Sequence, residues 1–318
     1  MKTIKTKICD LFEIKYPILQ GGMAWVATGE LAAAVSQAGG LGIIGAGNAP
    51  REVIREEIQK VKKRTDNNYG VNIMLLSPFV DDIIELVIEE EVPVITTGAG
   101  NPGKYIDRFK KNKIKVVPVA SSVALAKRLA RAGADAVIAE GTEAGGHIGE
   151  LTTMAIIPQM ADAIKIPIIA AGGIADGRGI AAVLSLGASG VQMGTRFVCS
   201  QESPAHVKYK EAILSARDRD AVITGISTGH PVRNLKNRLT RKIDKMESTG
   251  TKKEKIEEAA KGKLREAVQN GNIKEGSVMA GQIAGMVEDI LPVKEIIDGM
   301  VYETALVIEK NVEYIKEQ

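Results

Sequence analysis

The sequence predicts an α/β protein, a TIM (β/α)8 barrel with a small, mainly helical and basic cap near its C-terminus. Three observations predict it. Apolar runs alternate with helical stretches over the first 200 residues, glycine follows most of these runs, and a basic segment then interrupts the pattern. We place the barrel at 1–200, the helical basic cap or insertion at 201–275, and a glycine-rich return segment with a C-terminal helix at 276–318.

Eight short apolar runs rich in Val and Ile supply the predicted strands, and their starts lie 21 to 30 residues apart. Such continuous runs are typical of parallel sheets that are covered on both faces. Eight repeats of strand and helix indicate a barrel, whereas a doubly wound sheet, the alternative, would show fewer strands and one dominant Gly-rich turn. The runs are Pro17–Gln20, Leu41–Gly45, Tyr69–Leu75, Val92–Thr97, Lys115–Ala120, Ala136–Glu140, Ile166–Ala171 and Ser189–Thr195.

Helical periodicity and capping residues predict the helices between these runs. Arg51–Lys63 places its apolar residues on one face, and Pro78–Glu90 follows Ser77, a suitable N-cap. Ser121–Arg131 stops shortly before Gly133, a suitable C-terminal glycine. An amphipathic helix near Val293–Lys316 is expected to pack back on the barrel.

Composition excludes several classes of protein. Of 318 residues, 45% are hydrophobic and 25% charged, which excludes a disordered chain. No apolar run reaches 18 residues, and charges interrupt the N-terminal stretch, so we expect a cytoplasmic protein with neither membrane span nor signal peptide. Cys9 and Cys199 cannot form a disulfide framework, and we interpret Cys199 as a buried thiol.

The basic segment at 236–265 differs from the rest of the chain. It holds eleven Lys or Arg and five Asp or Glu, so its net charge is +6, whereas the whole chain is only +3. The small overall charge gives no reason to expect a nucleic-acid partner.

Glycine is concentrated where a barrel forms its sites. Of 33 glycines, 24 lie in residues 1–200 and four in 201–270. Strand ends converge on one face of a barrel, where bare backbone amides can hold a phosphate. The seventh and eighth strand ends are the usual phosphate position. We therefore predict that Gly172–Gly173 and Gly194–Thr195 bind phosphate; the alternative is that each pair only turns the chain.

His147 is the histidine that follows a predicted strand, in the segment EAGGHIGE. Histidine can donate or accept a proton near neutral pH, so His147 is the candidate catalytic residue, with an ordinary surface histidine as the alternative. His206 and His230 lie outside the predicted strands and are interpreted as structural or surface groups. Asn72 could hydrogen-bond a heteroaromatic ring or tie two loops together.

Eight motifs stand together in a recognisable order: QGGMAWVA (Gln20–Ala27), GGLGIIGAGN (Gly39–Asn48), GVNIMLLSPF (Gly70–Phe79), TTGAGNP (Thr96–Pro102), AEGTEAGGHIG (Ala139–Gly149), AAGGIADGRG (Ala170–Gly179), QMGTRF (Gln192–Phe197) and GSVMAGQIAG (Gly276–Gly285). The set resembles the FMN-dependent enoyl-acyl-carrier-protein reductase II family of bacterial fatty-acid synthesis, within the nitronate monooxygenase (2-nitropropane dioxygenase) superfamily. The resemblance runs from about Thr6 to Gly285, and the basic segment matches least.

The resemblance implies FMN at the barrel mouth. His147 falls on the family's active-site histidine, and Thr97 and Met279 on its substrate side; no metal ligand is assigned. The implied FMN contacts are Gly22, Met23, Asn72, Glu140, Gly145, Gly146, Gly172, Gly173, Gln192, Met193, Gly194 and Thr195.

The resemblance also implies a reaction: NADH or NADPH reduces FMN, which passes hydride to the β-carbon of a trans-2-enoyl thioester on acyl carrier protein. It further implies a homodimer and a response to potassium or ammonium. The cap could steer the acidic carrier protein, or it could simply be a solvated helical surface. The alternatives are a nitronate monooxygenase that uses oxygen and, more distantly, a flavin-free barrel acting on a phosphorylated substrate.

Overall fold

Residues 2–315 are described by the computed structural model, in which eight parallel strands form the predicted barrel. The strand order around it is β1-β9-β8-β6-β5-β4-β3-β2. These strands are β1 (Ile18–Gln20), β2 (Gly42–Gly45), β3 (Tyr69–Met74), β4 (Val94–Gly98), β5 (Lys115–Ala120), β6 (Val137–Glu140), β8 (Ile168–Ala171) and β9 (Gly190–Met193). The predicted fold class and all eight strands are confirmed.

The two ends of the sheet meet between β1 and the residue before β2. Leu19 and Leu41 form a single parallel bridge there. The amide of Gln20 donates to the Leu41 carbonyl at 3.0 Å, and the Leu41 amide donates to the Ile18 carbonyl at 2.9 Å. The barrel is therefore nearly closed.

Apolar side chains fill the barrel interior and cover its outside. Leu19, Ile43, Val94, Val117 and Ile138 belong to one buried cluster inside the barrel. The first helix, α1 (Lys7–Phe12), contributes Ile8 and Phe12 to this cluster, so it plugs the end opposite the mouth.

Helices surround the barrel as the periodicity predicts: α2 (Gly29–Gln37), α3 (Arg51–Lys62), α4 (Val80–Glu89), α5 (Gly103–Lys111), α6 (Val123–Arg131), α7 (Thr153–Ala163), α8 (Gly177–Ser185), the short α9 (Thr195–Val198) and α14 (Val293–Val312). Helix α14 packs on α8 and α2. Its predicted end, Lys316, lies outside the described residues.

The predicted N-cap of α4 is wrong. The helix begins at Val80 with Phe79 at the cap position. The Ser77 hydroxyl instead accepts a hydrogen bond from the Phe79 amide at 3.3 Å, in the turn before the helix. Gly133 does follow α6 with a positive φ of 96°, as expected for a helix-ending glycine.

The region after α9 contains helices and also a small sheet that the sequence did not predict. Its helices are α10 (Val207–Leu214), α11 (Arg238–Ser248), α12 (Lys253–Ala260) and α13 (Lys263–Asn270). Strands β10 (Ala221–Thr224) and β11 (Val232–Leu235) pair antiparallel, and β11 also pairs with β7 (Gly146–His147). This sheet joins the cap to the loop that carries His147.

Within the described part of the chain, no helix combines the length and apolar character that crossing a bilayer requires. Cys199 is buried, as expected, and burial raises the pKa of its thiol to about 11.

Candidate active site at the barrel mouth

Four polar side chains point inward at the mouth of the barrel. The buried interior residues fix which strand positions face inward, because side chains alternate along a strand. Thr96 and Glu140 come two residues after Val94 and Ile138 of this interior layer, so they face inward. Asn72 and Gln192 face inward because their strand neighbours pack in the clusters outside the barrel: Val71, Ile73, Val191 and Met193. Strand register agrees, since Asn72 pairs with Thr96, and both Glu140 and Gln192 pair with Ala171. The mouth is therefore polar above an apolar interior.

The same alternation places the predicted substrate residue Thr97 on the other face. Thr97 pairs with Ile73, which belongs to the cluster between β-strands and helices. It is 1% exposed, and its hydroxyl has no hydrogen-bond partner among the described residues. Thr96, which was not among the predicted site residues, faces the mouth, and its hydroxyl accepts a hydrogen bond from the side-chain amide of Asn72 at 2.8 Å. The structure therefore places the side chain of Thr97, the predicted substrate residue, on the helix side of β4 and not at the mouth.

Glu140 is half-buried at the end of β6. Its carboxyl receives no hydrogen bond from any residue that the structure describes. Burial raises its pKa to about 7, since the charged form loses its hydration. Near neutral pH this carboxyl therefore exists partly as the acid and can donate a hydrogen bond.

Gly172 and Gly173 form a concave turn after β8. Both have positive φ, 89° and 72°, a conformation that side chains disfavour. A Cβ on Gly172 would lie 2.8 Å from the Gly141 carbonyl oxygen. The amides of these two glycines donate no hydrogen bond within residues 2–315. Two free amides in such a turn suit an anion, as predicted for phosphate.

The loop after β1 lies against the other predicted cofactor residues. Gly22 packs directly on the Asn72 Cβ, and a Cβ on Gly194 would lie 3.4 Å from the Met23 Sδ. The amide of Gly21 donates to the Met193 carbonyl at 2.8 Å. The Met193 side chain is buried in the cluster outside the barrel, so only its backbone reaches the mouth.

His147 and Met279 lie next to each other on one edge of β11. His147 pairs with Val232 in the β7–β11 ladder, and Met279 forms a single antiparallel bridge with Asn234. The Met279 Sδ is 3.6 Å from the position that a Cβ on Gly146 would take. Residues about 130 positions apart are therefore adjacent at the mouth.

The loop that carries His147 packs closely on the return segment. A Cβ on Gly145 would lie 2.7 Å from the Ala280 carbonyl carbon, so only glycine allows this approach. The Gly281 amide donates to the Thr195 hydroxyl at 2.9 Å. The predicted residues that follow β6 and β9 and those of the return segment thus form one connected site.

His147 is open to solvent, but its pKa is lowered by partial burial and, secondarily, by the nearby His230. The imidazole is therefore mostly neutral at pH 7 and carries one ring N–H. His230, interpreted from the sequence as a structural or surface group, precedes β11 and approaches His147 through the small sheet. No sequence signal indicated this, because β7 has only two residues.

The cap also touches the mouth through α13. The Arg265 guanidinium lies 4.7 Å from the centre of the Trp25 ring, a cation–π contact with the loop after β1. Exposed basic residues of the cap include Lys242, Lys245 and Lys255. In the described residues, no group of three or more His, Cys, Asp or Glu side chains could hold a metal ion.

Comparison with known proteins identifies the family. The family model for nitronate monooxygenase matches residues 5–303. The chain belongs to the nitronate monooxygenase family. The members of this family are FMN-dependent flavoenzymes, so the protein is an oxidoreductase.

Relatives within and around this nitronate monooxygenase family carry different names. The chain is 36% identical to a probable nitronate monooxygenase from Staphylococcus saprophyticus, over 90% of this chain and 94% of that protein. It is 32% identical to a Rhodococcus jostii carboxyl-CoA dehydrogenase of an octahydroindene substrate, over 95% and 96%. The solved structure of FabK from Thermotoga maritima is 52% identical with a TM-score of 0.96, covering 98% of this chain and 100% of that one.

The mouth has features that FMN requires. The free amides of Gly172 and Gly173 suit its phosphate, and the inward side chains of Asn72, Thr96, Glu140 and Gln192 offer hydrogen bonds to its polar parts. The arrangement thus fits a phosphorylated heteroaromatic ligand.

Proposed function

We propose that the protein is an FMN-dependent enoyl-acyl-carrier-protein reductase that acts in the last step of bacterial fatty-acid elongation. The observation that carries this proposal is the likeness to Thermotoga maritima FabK, a protein of the enoyl reductase type, at 52% identity over nearly the whole of both chains. The curated relative that bears the nitronate monooxygenase name is 36% identical.

The proposed binding residues divide by part of the cofactor. Gly172, Gly173, Gly194 and Thr195 would hold the phosphate, and Asn72, Glu140 and Gln192 would face the remainder of FMN. Gly22, Met23, Gly145, Gly146 and the Met193 backbone would line the same site. The chemistry that FMN supplies when bound is hydride transfer from NADH or NADPH to the β-carbon of a trans-2-enoyl thioester.

His147 would serve the other half of the reduction. Addition of hydride to the β-carbon leaves negative charge on the α-carbon and the thioester oxygen, and a proton must reach the α-carbon. A neutral His147 has one ring N–H, which can donate to the thioester oxygen or supply that proton. Met279, adjacent to His147, would contact the acyl chain.

The basic cap would guide acyl carrier protein to the mouth. Acyl carrier proteins are acidic, and a local net charge of +6 increases their rate of encounter. The cap meets the mouth both at the His147 strand and at Trp25, so a protein bound there would present its thioester nearby.

A nitronate monooxygenase is the second candidate, because the family model and several curated relatives carry that name. Oxygen uptake with a nitronate and no pyridine nucleotide would favour it. NAD(P)H-dependent loss of an enoyl thioester would favour the reductase.

His147→Ala tests the catalytic assignment. We expect enoyl reductase turnover to fall by about 10²-fold or more, in line with the loss of a proton donor, while FMN stays bound. The control is Glu150→Gln, which removes an exposed carboxylate from the same loop. Full turnover in His147→Ala with FMN bound would contradict the role.

Three further properties accompany this proposal. We expect a homodimer, which light scattering after size-exclusion chromatography measures. We expect potassium or ammonium to raise activity relative to sodium. We also expect the enzyme in the cytoplasm, where NAD(P)H and acyl carrier protein are found.

A further inference from the structure

Arg233 is a buried cation at the junction between the cap and the His147 loop. It lies on β11 and is 4% exposed. Its Nε and Nη2 donate to the Thr142 carbonyl at 3.2 and 2.9 Å, and its Nη1 donates to the Ala221 carbonyl at 3.3 Å. Among the described residues, no carboxylate oxygen lies within 4 Å of this guanidinium.

Burial of the Arg233 guanidinium must be offset by interactions with the protein. Removing a charge from water without pairing it with an anion is unfavourable, so hydrogen bonds must hold it. Its three bonds go to backbone carbonyls from two separate segments. Thr142 lies in the loop after β6, and Ala221 begins β10. The side chain therefore ties the His147 loop to the hairpin of the cap.

The backbone of Arg233 contacts the same loop a second time. In the β7–β11 ladder, Arg233 pairs with Gly146 and the preceding Val232 pairs with His147. One residue thus contacts the loop at Thr142 through its side chain and at Gly146 through its backbone. The segment between these two points leads directly into His147.

We propose that Arg233 is a positioning residue that holds the 142–147 loop so that His147 faces the barrel mouth. The inference rests on the proposed role of His147. The planar guanidinium can donate to two carbonyls at once, whereas a lysine ammonium is a single point of charge and holds this geometry poorly.

The first test uses the FMN-loaded Arg233→Lys protein. The loop amides at 142–148 are expected to exchange hydrogen for deuterium faster than in the native protein, while exchange in α11 and α8 stays unchanged. The imidazole of His147, one of three histidines in the chain, is observed by NMR across a pH series. Its pKa is expected to rise toward the ordinary value, because partial burial and His230 lower it in the held loop.

The second test is kinetic. Arg233→Lys is expected to lower kcat for a crotonyl thioester by about tenfold to a hundredfold, since small displacements of a catalytic group have effects of this size. KM for the thioester should change less than kcat, because the loop acts on the reacting geometry. The matched control is Arg108→Lys, on α5, where the exposed guanidinium pairs with Glu85. We expect it to change none of these measurements.

Arg233→Met is a second variant. It should change loop exchange, the His147 pKa and kcat in the same direction as Arg233→Lys, but by more, because methionine donates no hydrogen bond. If Arg233→Met does not fold, hydrogen–deuterium exchange of the loop and the His147 titration in Arg233→Lys test the proposal by themselves. Unchanged loop exchange together with an unchanged His147 titration in Arg233→Lys would overturn the proposal. So would faster exchange spread evenly over the whole chain.

These measurements separate this inference from the proposed function. If the native protein does not reduce enoyl thioesters but Arg233→Lys frees the loop and shifts His147, the positioning role stands and the reductase assignment fails. If the native protein is an active reductase and Arg233→Lys matches it in every measurement, only the positioning role fails.

Discussion

Glu140→Gln should make the FMN-free protein more stable above neutral pH and leave it nearly unchanged in acid. Burial raises the pKa of the carboxyl from 4.5 to about 7, so the folded protein holds a proton there that the unfolded chain has lost. Between those two values, stability falls as pH rises, and the loss is complete above about pH 7. The neutral amide of glutamine has no such dependence.

The size of the effect follows from the two pKa values. A tenfold change in proton affinity corresponds to about 1.4 kcal/mol, so the shift from 4.5 to about 7 sets the penalty above neutral pH at no more than about 3.5 kcal/mol. Between about pH 5 and pH 8, the difference in free energy of unfolding between Glu140→Gln and native protein should grow by about 2 to 3 kcal/mol. Because the site holds no FMN in this experiment, contacts with a ligand do not contribute.

Urea unfolding followed by circular dichroism at both pH values measures this difference. Glu150→Gln, which removes an exposed carboxylate, is the control and should behave alike at the two pH values. A Glu140→Gln protein whose advantage at pH 8 stayed within about 0.5 kcal/mol of that at pH 5 would refute the reasoning. It would mean that a cation or water compensates the buried charge.

Three other predictions concern residues of β4, the turn after β8 and the basic cap. Gly172→Ala should weaken FMN binding by about tenfold to a hundredfold, since the alanine must adopt a positive φ and its Cβ meets the Gly141 carbonyl; flavin fluorescence on release measures this, and unchanged affinity would contradict the phosphate turn. Thr97→Val should stabilise the protein by about 1 kcal/mol in thermal unfolding, because it removes a buried hydroxyl that has no hydrogen-bond partner among the described residues. Thr96→Val should instead weaken FMN binding, because the side-chain amide of Asn72 loses its hydrogen-bond acceptor. The reverse pattern would show that Thr97 faces the mouth. Raising ionic strength should increase KM for enoyl-acyl carrier protein but not for an uncharged N-acetylcysteamine thioester; an unchanged KM for the protein substrate would remove the steering role of the cap.

The barrel could be predicted from the sequence because its signals are local. Each strand is a short apolar run, and strands follow one another at regular spacing around the sheet. The positions of Asn72, Glu140 and Gln192 at strand ends were also predictable, since parallel strands end on the same face. The choice between Thr96 and Thr97 was not, because adjacent residues of a strand face opposite sides and only the register with Asn72 and Ile73 decides.

The small sheet could not be predicted from the sequence, for a different reason. Its pairing joins Gly146–His147 to Val232–Leu235, about 85 residues away, and strands of two and four residues give almost no periodic signal. The contacts of His230 and Arg233 with the His147 loop depend on that pairing. The structure therefore joins the cap to the His147 loop through contacts that the sequence did not indicate.

Anaerobic reduction of the bound flavin tests the central claim most directly. The FMN-loaded protein is reduced with NADH or NADPH in the absence of oxygen, and a crotonyl thioester is then added while the flavin spectrum is followed. Our account predicts that the oxidised spectrum returns as butyryl thioester forms in equal amount. A flavin that stays reduced with the thioester, in a protein that consumes oxygen with a nitronate, would contradict it.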